Sequence, residues 1–290
     1  MMHKPGREQW VLLLSLMLIW GTSYILIKKA LLVYQPLQLA ALRMVFSMLC
    51  CMPFLPKAIK NISVRDYWKV MATGLLASGV PAFLFAYAMT KTSSAMNGII
   101  NSLSPLFTVI TGALIWKVAI TPRKVAGVFI GLAGAVVLVL GRSGWQLTGD
   151  ASYALFPMVA TLMYGMNSNF IKQHFAYANA IEVTAMAMLF LGGVSLPVLF
   201  FTDAHQAYAS PFFWKGTACL FALSFFGTVI GWILYYRLVQ QTDALFAASV
   251  TYLIPLMAIG WGLVDGEQLE AVQLLGLALI LGGVYFVTKK

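Results

Sequence analysis

The chain has 290 residues, 61% of them from the AVILMFWYC set and only 10% charged, with a mean hydropathy of +0.85. A soluble domain carries about a quarter charged residues, so an ordinary soluble enzyme, a disordered chain and a nucleic-acid-binding domain are excluded despite a net charge of +10. A membrane is the solvent that fits, and the length suffices for ten helices of about 29 residues, roughly 20 in hydrocarbon and the rest in turns.

In chain order the apolar segments are 9–28, 36–55, 68–90, 94–116, 123–141, 151–173, 180–201, 212–238, 244–264 and 271–288. Lys4 and Arg7 precede the first as charges precede a signal peptide, but 10–27 is longer than a signal's apolar region and no A-x-A-like site follows. It reads as a retained span. This span carries Ser15, Trp20, Thr22 and Ser23, with the Trp at mid-span and away from the usual interfacial belt. Span 2 holds Arg43, the one charge well inside a span. Arg43 is a candidate anion contact for a carboxylate or phosphate; alternatively it bonds freed carbonyls and anchors spans 1 and 2. Cys50 and Cys51 are adjacent and Cys219 lies in another apolar run, so no disulfide framework is indicated. Pro81 interrupts span 3. The joins at 91–94 and 240–243 are read as tight hairpins, because forty-odd apolar residues cannot cross a bilayer once.

Span 4 carries Asn97, Asn101, Ser104, Thr108 and Thr111 at steps of 4, 3, 4 and 3, one continuous helical face. Such a stripe either glues helices together or lines a wet cavity. Gly127, Gly131 and Gly134 in span 5, and Gly276, Gly282 and Gly283 in span 10, predict close helix packing. Span 6 presents Thr161, Tyr164 and Ser168 on one face, with Asn167 and Asn169 beside it, and span 8 presents Ser224, Thr228, Trp232 and Tyr235. Tyr252 stands three residues before Pro255 in span 9. Pro105 and Pro255 occupy matching mid-span positions, where each frees a carbonyl and is either a hinge or a static kink. Every Asp and Glu falls at a span end or in a loop, and His3, His174 and His205 form no ligand cluster. A membrane-embedded enzyme needs clustered ligands or a nucleophile with its base, so the reading is not an enzyme, and neither cofactor nor metal is called for.

Placing the first residues on one face assigns 13 Lys and Arg to that side and 5 to the other, with Arg43 left inside a span. The positive-inside rule then puts both termini in the cytoplasm, as an even span number requires. The halves correspond weakly. Leu103-Ser104-Pro105-Leu106 answers Leu253-Ile254-Pro255-Leu256, and Thr92 answers Thr242, at an offset of 150. Gly127 and Gly134 answer Gly276 and Gly283 at 149; Trp20-Gly21 answers Tyr164-Gly165 and Lys28 answers Lys172 at 144. Residues 1–145 carry +12 and residues 146–290 carry −2. The expected fold is therefore an all-α integral membrane protein of ten spans, with 1–145 and 146–290 each a five-helix repeat. An odd number of spans inverts the second repeat, an arrangement typical of transporters.

Trp20-Gly21-Thr22-Ser23, Leu39-Ala40-Ala41-Leu42-Arg43 after a proline, Thr92-Ser93, the two Leu-x-Pro runs and Gly266-Glu267 before a glycine-rich last span resemble the drug/metabolite transporter superfamily, in its ten-span EamA-type branch. The resemblance spans the whole chain, although Lys117 stands where the first half would answer Glu267. It implies a 5+5 inverted repeat around a central cavity and export or exchange of small metabolites, amino acids among them. On the residues themselves, Trp20, Ser23, Asn97, Asn101, Tyr164, Asn167, Trp232, Tyr235 and Tyr252 are the candidate substrate contacts: aromatic walls for an apolar body, amides and hydroxyls for a polar head. The absence of intramembrane carboxylates disfavours tight proton or sodium coupling and a cationic substrate. Neutral or zwitterionic amino acids are the expected substrates of a secondary transporter or uniporter, with nucleobases and other heterocycles the alternative; a non-transporting scaffold or sensor is the other class. Partners are the substrate and membrane lipid, not nucleic acid; the chain is expected as monomer or homodimer, in a bacterial inner membrane.

Overall fold

The computed structural model describes residues 6–92, 94–142, 151–202, 207–264 and 271–288. Ser93, the Gly266-Glu267 pair, Asp203, His205, His3, Lys4, Lys289 and Lys290 lie outside that set. Among the described residues there is no strand, and the principal helices answer the predicted segments one by one. They are α1 Arg7–Ala30, α2 Pro36–Asn61, α3 Val64–Ala88, α4 as Ser94–Asn101 and Ser104–Trp116, α5 Pro122–Arg142, α6 Leu155–His174, α7 Ala180–Leu199, α8 Phe213–Gln241, α9 as Ala244–Ala248 and Val250–Val264, and α10 Ala271–Thr288. Among the described residues six of these, α1 to α4, α7 and α8, are long and apolar enough to cross a membrane on those grounds alone.

The boundaries have local causes. Pro36 opens α2, where its missing N–H is not needed. Asn179 caps α7 by accepting from the Ile181 amide at 2.9 Å, and Asp243 caps α9 by accepting from Phe246 at 2.7 Å. At the end of α4, Lys117 takes a left-handed conformation with φ 53°. Chain continuity is interrupted where the spans were expected to be single helices: α4 breaks at Ser102 and Leu103, and α9 breaks at Ser249. In α4 the break places Pro105 in the first turn of a new helix. Pro255, by contrast, sits inside its helix. Two further interruptions are π-helical, Leu75–Gly79 in α3 just before Pro81 and Leu223–Ile230 in α8.

Polarity runs opposite to that of a soluble protein. Leu14, Leu18, Leu114, Phe129, Val194 and Phe226 are exposed, whereas Asn97, Thr108, Thr161, Asn167 and Ser168 are buried. Hydrocarbon outside and hydrogen bonds inside is the arrangement a bilayer selects. Helix α2 packs on α7, α1 on α9, α4 on α6, α3 on α6 and α7, and α8 on α1 and α2. Helices α5 and α10 form the most extensive pair, through their glycines. A Cβ on Gly134 would stand 2.6 Å from the Ile280 amide and 2.8 Å from the Gly276 carbonyl, so the backbones touch where the small residues meet.

Candidate functional site

A cavity of about 90 Å³ lies among α1, α2, α3, α4, α6, α8 and α9. That space holds several waters or one small metabolite. Trp20, Ser23, Asn101, Tyr164, Trp232 and Tyr235 line it, together with Arg43. These seven come from five helices, which no local pattern brings together.

The walls are aromatic. Trp20 stands 5.3 Å from both Trp232 and Tyr235, centroid to centroid, and Tyr164 stands 6.0 Å from Trp232. Phe85 stacks on Tyr164 at 6.0 Å and an interplanar angle of 14°. Tilted and offset contacts of this kind suit the ring quadrupoles. The rings are held by their polar ends. The Trp20 indole N–H donates to the Gly227 carbonyl at 2.9 Å, and the Tyr235 and Ser168 hydroxyls share a bond of 2.5 Å. A Cβ on Gly231 would meet Trp20 Nε1 at 2.6 Å, so this glycine is what lets the indole lie on α8.

The polar part is sparse. Arg43 Nε donates to the Thr228 hydroxyl at 2.8 Å, tying α2 to α8, while the side chain also forms part of the cavity wall. Among the described residues no carboxylate pairs with it, and none lines the cavity. The Asn101 Oδ1 is buried with no partner. A guanidinium without a carboxylate and an unpaired amide oxygen at one cavity are costly unless a ligand or water meets them.

Other candidates do different work. The α4 stripe divides. Asn101 and Ser104 face the cavity, whereas Asn169 Nδ2 donates to the Thr108 carbonyl at 2.8 Å and to Thr111 Oγ1 at 3.2 Å, gluing α4 to α6. Asn97 donates to Thr92 at 2.7 Å. Asn167 accepts from Thr73 at 2.6 Å, which in turn bonds the Tyr236 hydroxyl at 2.6 Å. Tyr252 donates to the Val128 carbonyl at 2.8 Å and packs on Gly131. These three are buried outside the cavity lining. Pro105 and Pro255 are also not in the lining, but Thr251, whose carbonyl Pro255 leaves without its helical donor, is. The Ser102 hydroxyl approaches that carbonyl at 3.5 Å.

Tyr24, Ile27, Phe85, Gly227, Thr251 and Ile254 complete the lining and are not among the contacts expected from the sequence. Two signals were available. Trp20, Tyr24 and Ile27 form an i, i+4, i+7 face of α1. At the offset of 150, Phe85 answers Tyr235, Asn101 answers Thr251 and Ser104 answers Ile254. The offset thus reaches three of the six from Tyr235, Asn101 and Ser104.

A model described as the EamA-like transporter family matches residues 9–140 and 151–289. An "Uncharacterized transporter" of Archaeoglobus fulgidus is 26% identical, over 98% of this chain and 99% of its own. The "Uncharacterized inner membrane transporter YedA" of Escherichia coli K12 is 27% identical, over 95% of this chain and 89% of its own. A "Probable amino-acid metabolite efflux pump" of Salmonella typhimurium is 24% identical, over 97% and 94%. A solved crystal structure superposes with a TM-score of 0.75 over 97% of this chain and 96% of that one at 21% identity, a likeness of fold.

Proposed function

The chain belongs to the EamA-like transporter family and is an integral membrane transporter; from that premise we propose a secondary transporter or uniporter for small neutral or zwitterionic metabolites, amino acids foremost. The observation that carries this reading is Arg43, a guanidinium without a carboxylate at a cavity walled by Trp20, Tyr164, Trp232 and Tyr235. Arginine pairs with a carboxylate through a planar fork. The amide oxygen of Asn101 accepts from an ammonium, which the ring faces also attract. The rings bury an apolar side chain. One small zwitterion satisfies all three, and the amino-acid efflux name of the Salmonella relative agrees with it.

We read the architecture as ten spans in a 5+5 inverted repeat with both termini cytoplasmic, in a bacterial inner membrane. The support is threefold. The family model matches once on each side of residue 145. The packing pairs exchange between halves: α1 on α9 mirrors α6 on α4, and α2 on α8 mirrors α7 on α3. The π-helical segments of α3 and α8 fall at corresponding positions. In this reading the halves rock about the cavity, which opens to each side in turn, and transport is export or exchange driven by the substrate's own gradient.

The test is uptake of labelled amino acids and nucleobases into liposomes containing the purified protein. Saturable uptake of apolar and aromatic amino acids, competed by the free acid but not by its methyl ester, is expected. Saturable uptake of nucleobases alone reassigns the cavity to heterocycles. Silence across both classes removes the reading.

A further inference from the structure

The two ends of the bundle hold the same parts in different arrangements. At the end of α1 that carries Gln9, Lys172 Nζ donates to the carbonyls of Val239, Gln240 and Thr242 at 3.1, 3.0 and 2.5 Å. An ammonium has three donors, and here all three are used on the C-terminal carbonyls of α8. Gln240 Nε2 reaches the other way, to the carbonyls of Phe175 and Ala178 at 2.6 and 2.9 Å, and Lys124 pairs with Asp243 at 2.6 Å. Side chains of α5, α6 and α8 thus cross-tie this end. Gln241 extends the ties to Glu8 and Gln9 of α1.

Now apply the offsets of 144 and 150. Lys172 corresponds to Lys28, and Val239, Gln240 and Thr242 correspond to Met89, Thr90 and Thr92. Lys28 lies 19 residues beyond Gln9, about 29 Å along α1 and so at the opposite end. There a second cavity, of about 710 Å³, separates Lys28 from those residues, and Lys28, Met89, Thr90 and Thr92 all line it. Lys28 is exposed and, among the described residues, makes no hydrogen bond. The correspondence is structural as well as positional: Thr92 donates to Ala88 O at 2.7 Å just as Thr242 donates to Leu238 O at 2.6 Å.

We propose that Lys172 and Lys28 are the two latches of alternating access, the Lys172 latch closed in this structure and the Lys28 latch open. The inference rests on the transporter reading above. In the opposite state Lys28 docks on the carbonyls of Met89, Thr90 and Thr92, the second cavity closes, and Lys172 lets go of α8. The sequence also explains which latch is closed at rest. Gln240 spans the gap to the α6–α7 loop, whereas Thr90 is too short to span its own and folds back on the Tyr87 carbonyl at 2.7 Å. The Gln9 end therefore has more ties when shut.

The test reads distances in the full-length protein in lipid nanodiscs, with Cys50, Cys51 and Cys219 replaced by Ala and no substrate added. One spin-label pair at Tyr177 and the exposed Arg237 of α8, neither of which makes these ties, reports the Lys172 end, and a second pair at Leu32 and Lys91 reports the Lys28 end. Lys172→Met is expected to lengthen the first distance and shorten the second, shifting the ratio of the two forms by at least about tenfold, the smallest effect of losing a charged donor. Lys172→Arg restores the resting distances. Lys28→Met leaves them unchanged, because Lys28 is undocked, but cancels the shortening when combined with Lys172→Met. A Lys172→Met protein whose 32–91 distance stays put overturns the proposal, as does a Lys28→Met protein that moves as far as Lys172→Met. Should Lys172→Met fail to fold, Gln240→Ala removes two ties while keeping the lysine and must move both pairs the same way. None of these readouts needs a substrate. Absent amino-acid uptake with the distances moving as expected sinks the substrate assignment alone.

Discussion

Arg43 joins a structural bond to Thr228 with a place in the cavity wall, so its two roles separate by substitution. Arg43→Lys keeps charge but loses the planar fork; Arg43→Gln keeps a donor for Thr228 and loses charge. If the guanidinium meets a carboxylate, Arg43→Gln is expected to raise the half-saturating amino-acid concentration by about 10- to 150-fold, with Lys intermediate and thermal stability little changed. An equal loss of uptake and of folded protein in both variants assigns Arg43 to α2–α8 anchoring alone. The neighbouring indole offers a second test. Gly231→Ala drives a methyl against Trp20 Nε1 and must displace the ring from its bond to Gly227; altered Trp fluorescence with weakened uptake is the expected pair of changes. At this scale the sequence was most readable where a residue was out of place for lipid. Mid-span Trp20, Tyr164 and Trp232 and the amide of Asn101 all reach the cavity. It was least readable where two buried uses look alike. Asn97 and Asn167 carry the same amide as Asn101, but their partners are Thr92, across the neighbouring hairpin, and Thr73, 94 residues away, so amide type alone does not separate the three.

The elements show why composition locates helices but not their breaks. Segments 94–116 and 244–264 are each apolar enough overall to read as one span, yet α4 is interrupted at Ser102 and Leu103 and α9 at Ser249. A short polar dip such as 101–105 is shared by a cavity-facing stripe and by a break, so the hydrophobic pattern does not tell the two apart. The prolines divide accordingly. Pro105 begins a helix and its missing N–H has no helical acceptor to lose, whereas Pro255 sits inside one and deprives Thr251 of a donor. Pro255→Ala is expected to raise the melting temperature by several degrees and slow transport, while Pro105→Ala changes stability by less; scanning calorimetry beside uptake rates checks both. If Pro255→Ala stabilises without slowing, the proline is a static kink. The α5–α10 seam was legible because close packing leaves a compositional trace, glycine at helical spacing. Gly134→Leu inserts a branched side chain where a Cβ alone already stands 2.6 Å from the Ile280 amide. Separation of the pair and loss of folded protein in detergent are the expected results, by size-exclusion profile and melting temperature. A normal profile contradicts the seam's tight packing.

For the whole molecule, the absences in the sequence constrain the energetics more than any motif does. A carrier driven by protons needs a group that changes charge on its path, and in membrane proteins that group is usually a buried carboxylate or histidine. Here the cavity is lined by rings, hydroxyls, an amide and one guanidinium, with no carboxylate or histidine in the lining among the described residues. The ion pairs among the described residues, Lys69–Asp66 and Lys124–Asp243, are not in that lining. Two lysines at opposite ends, exchanging backbone carbonyls for solvent, change which end is shut. On the proposed mechanism the resting bias sets which end is shut in the empty carrier, and substrate concentration alone sets the direction of net flux. Counterflow measures this directly. Liposomes loaded with unlabelled amino acid are expected to accumulate the labelled one transiently, with the same initial rate whether the interior and exterior differ by about two pH units or not at all. A rate that follows the pH gradient places a titrating group on the path. It also means that a cavity without carboxylates does not entail transport without coupling.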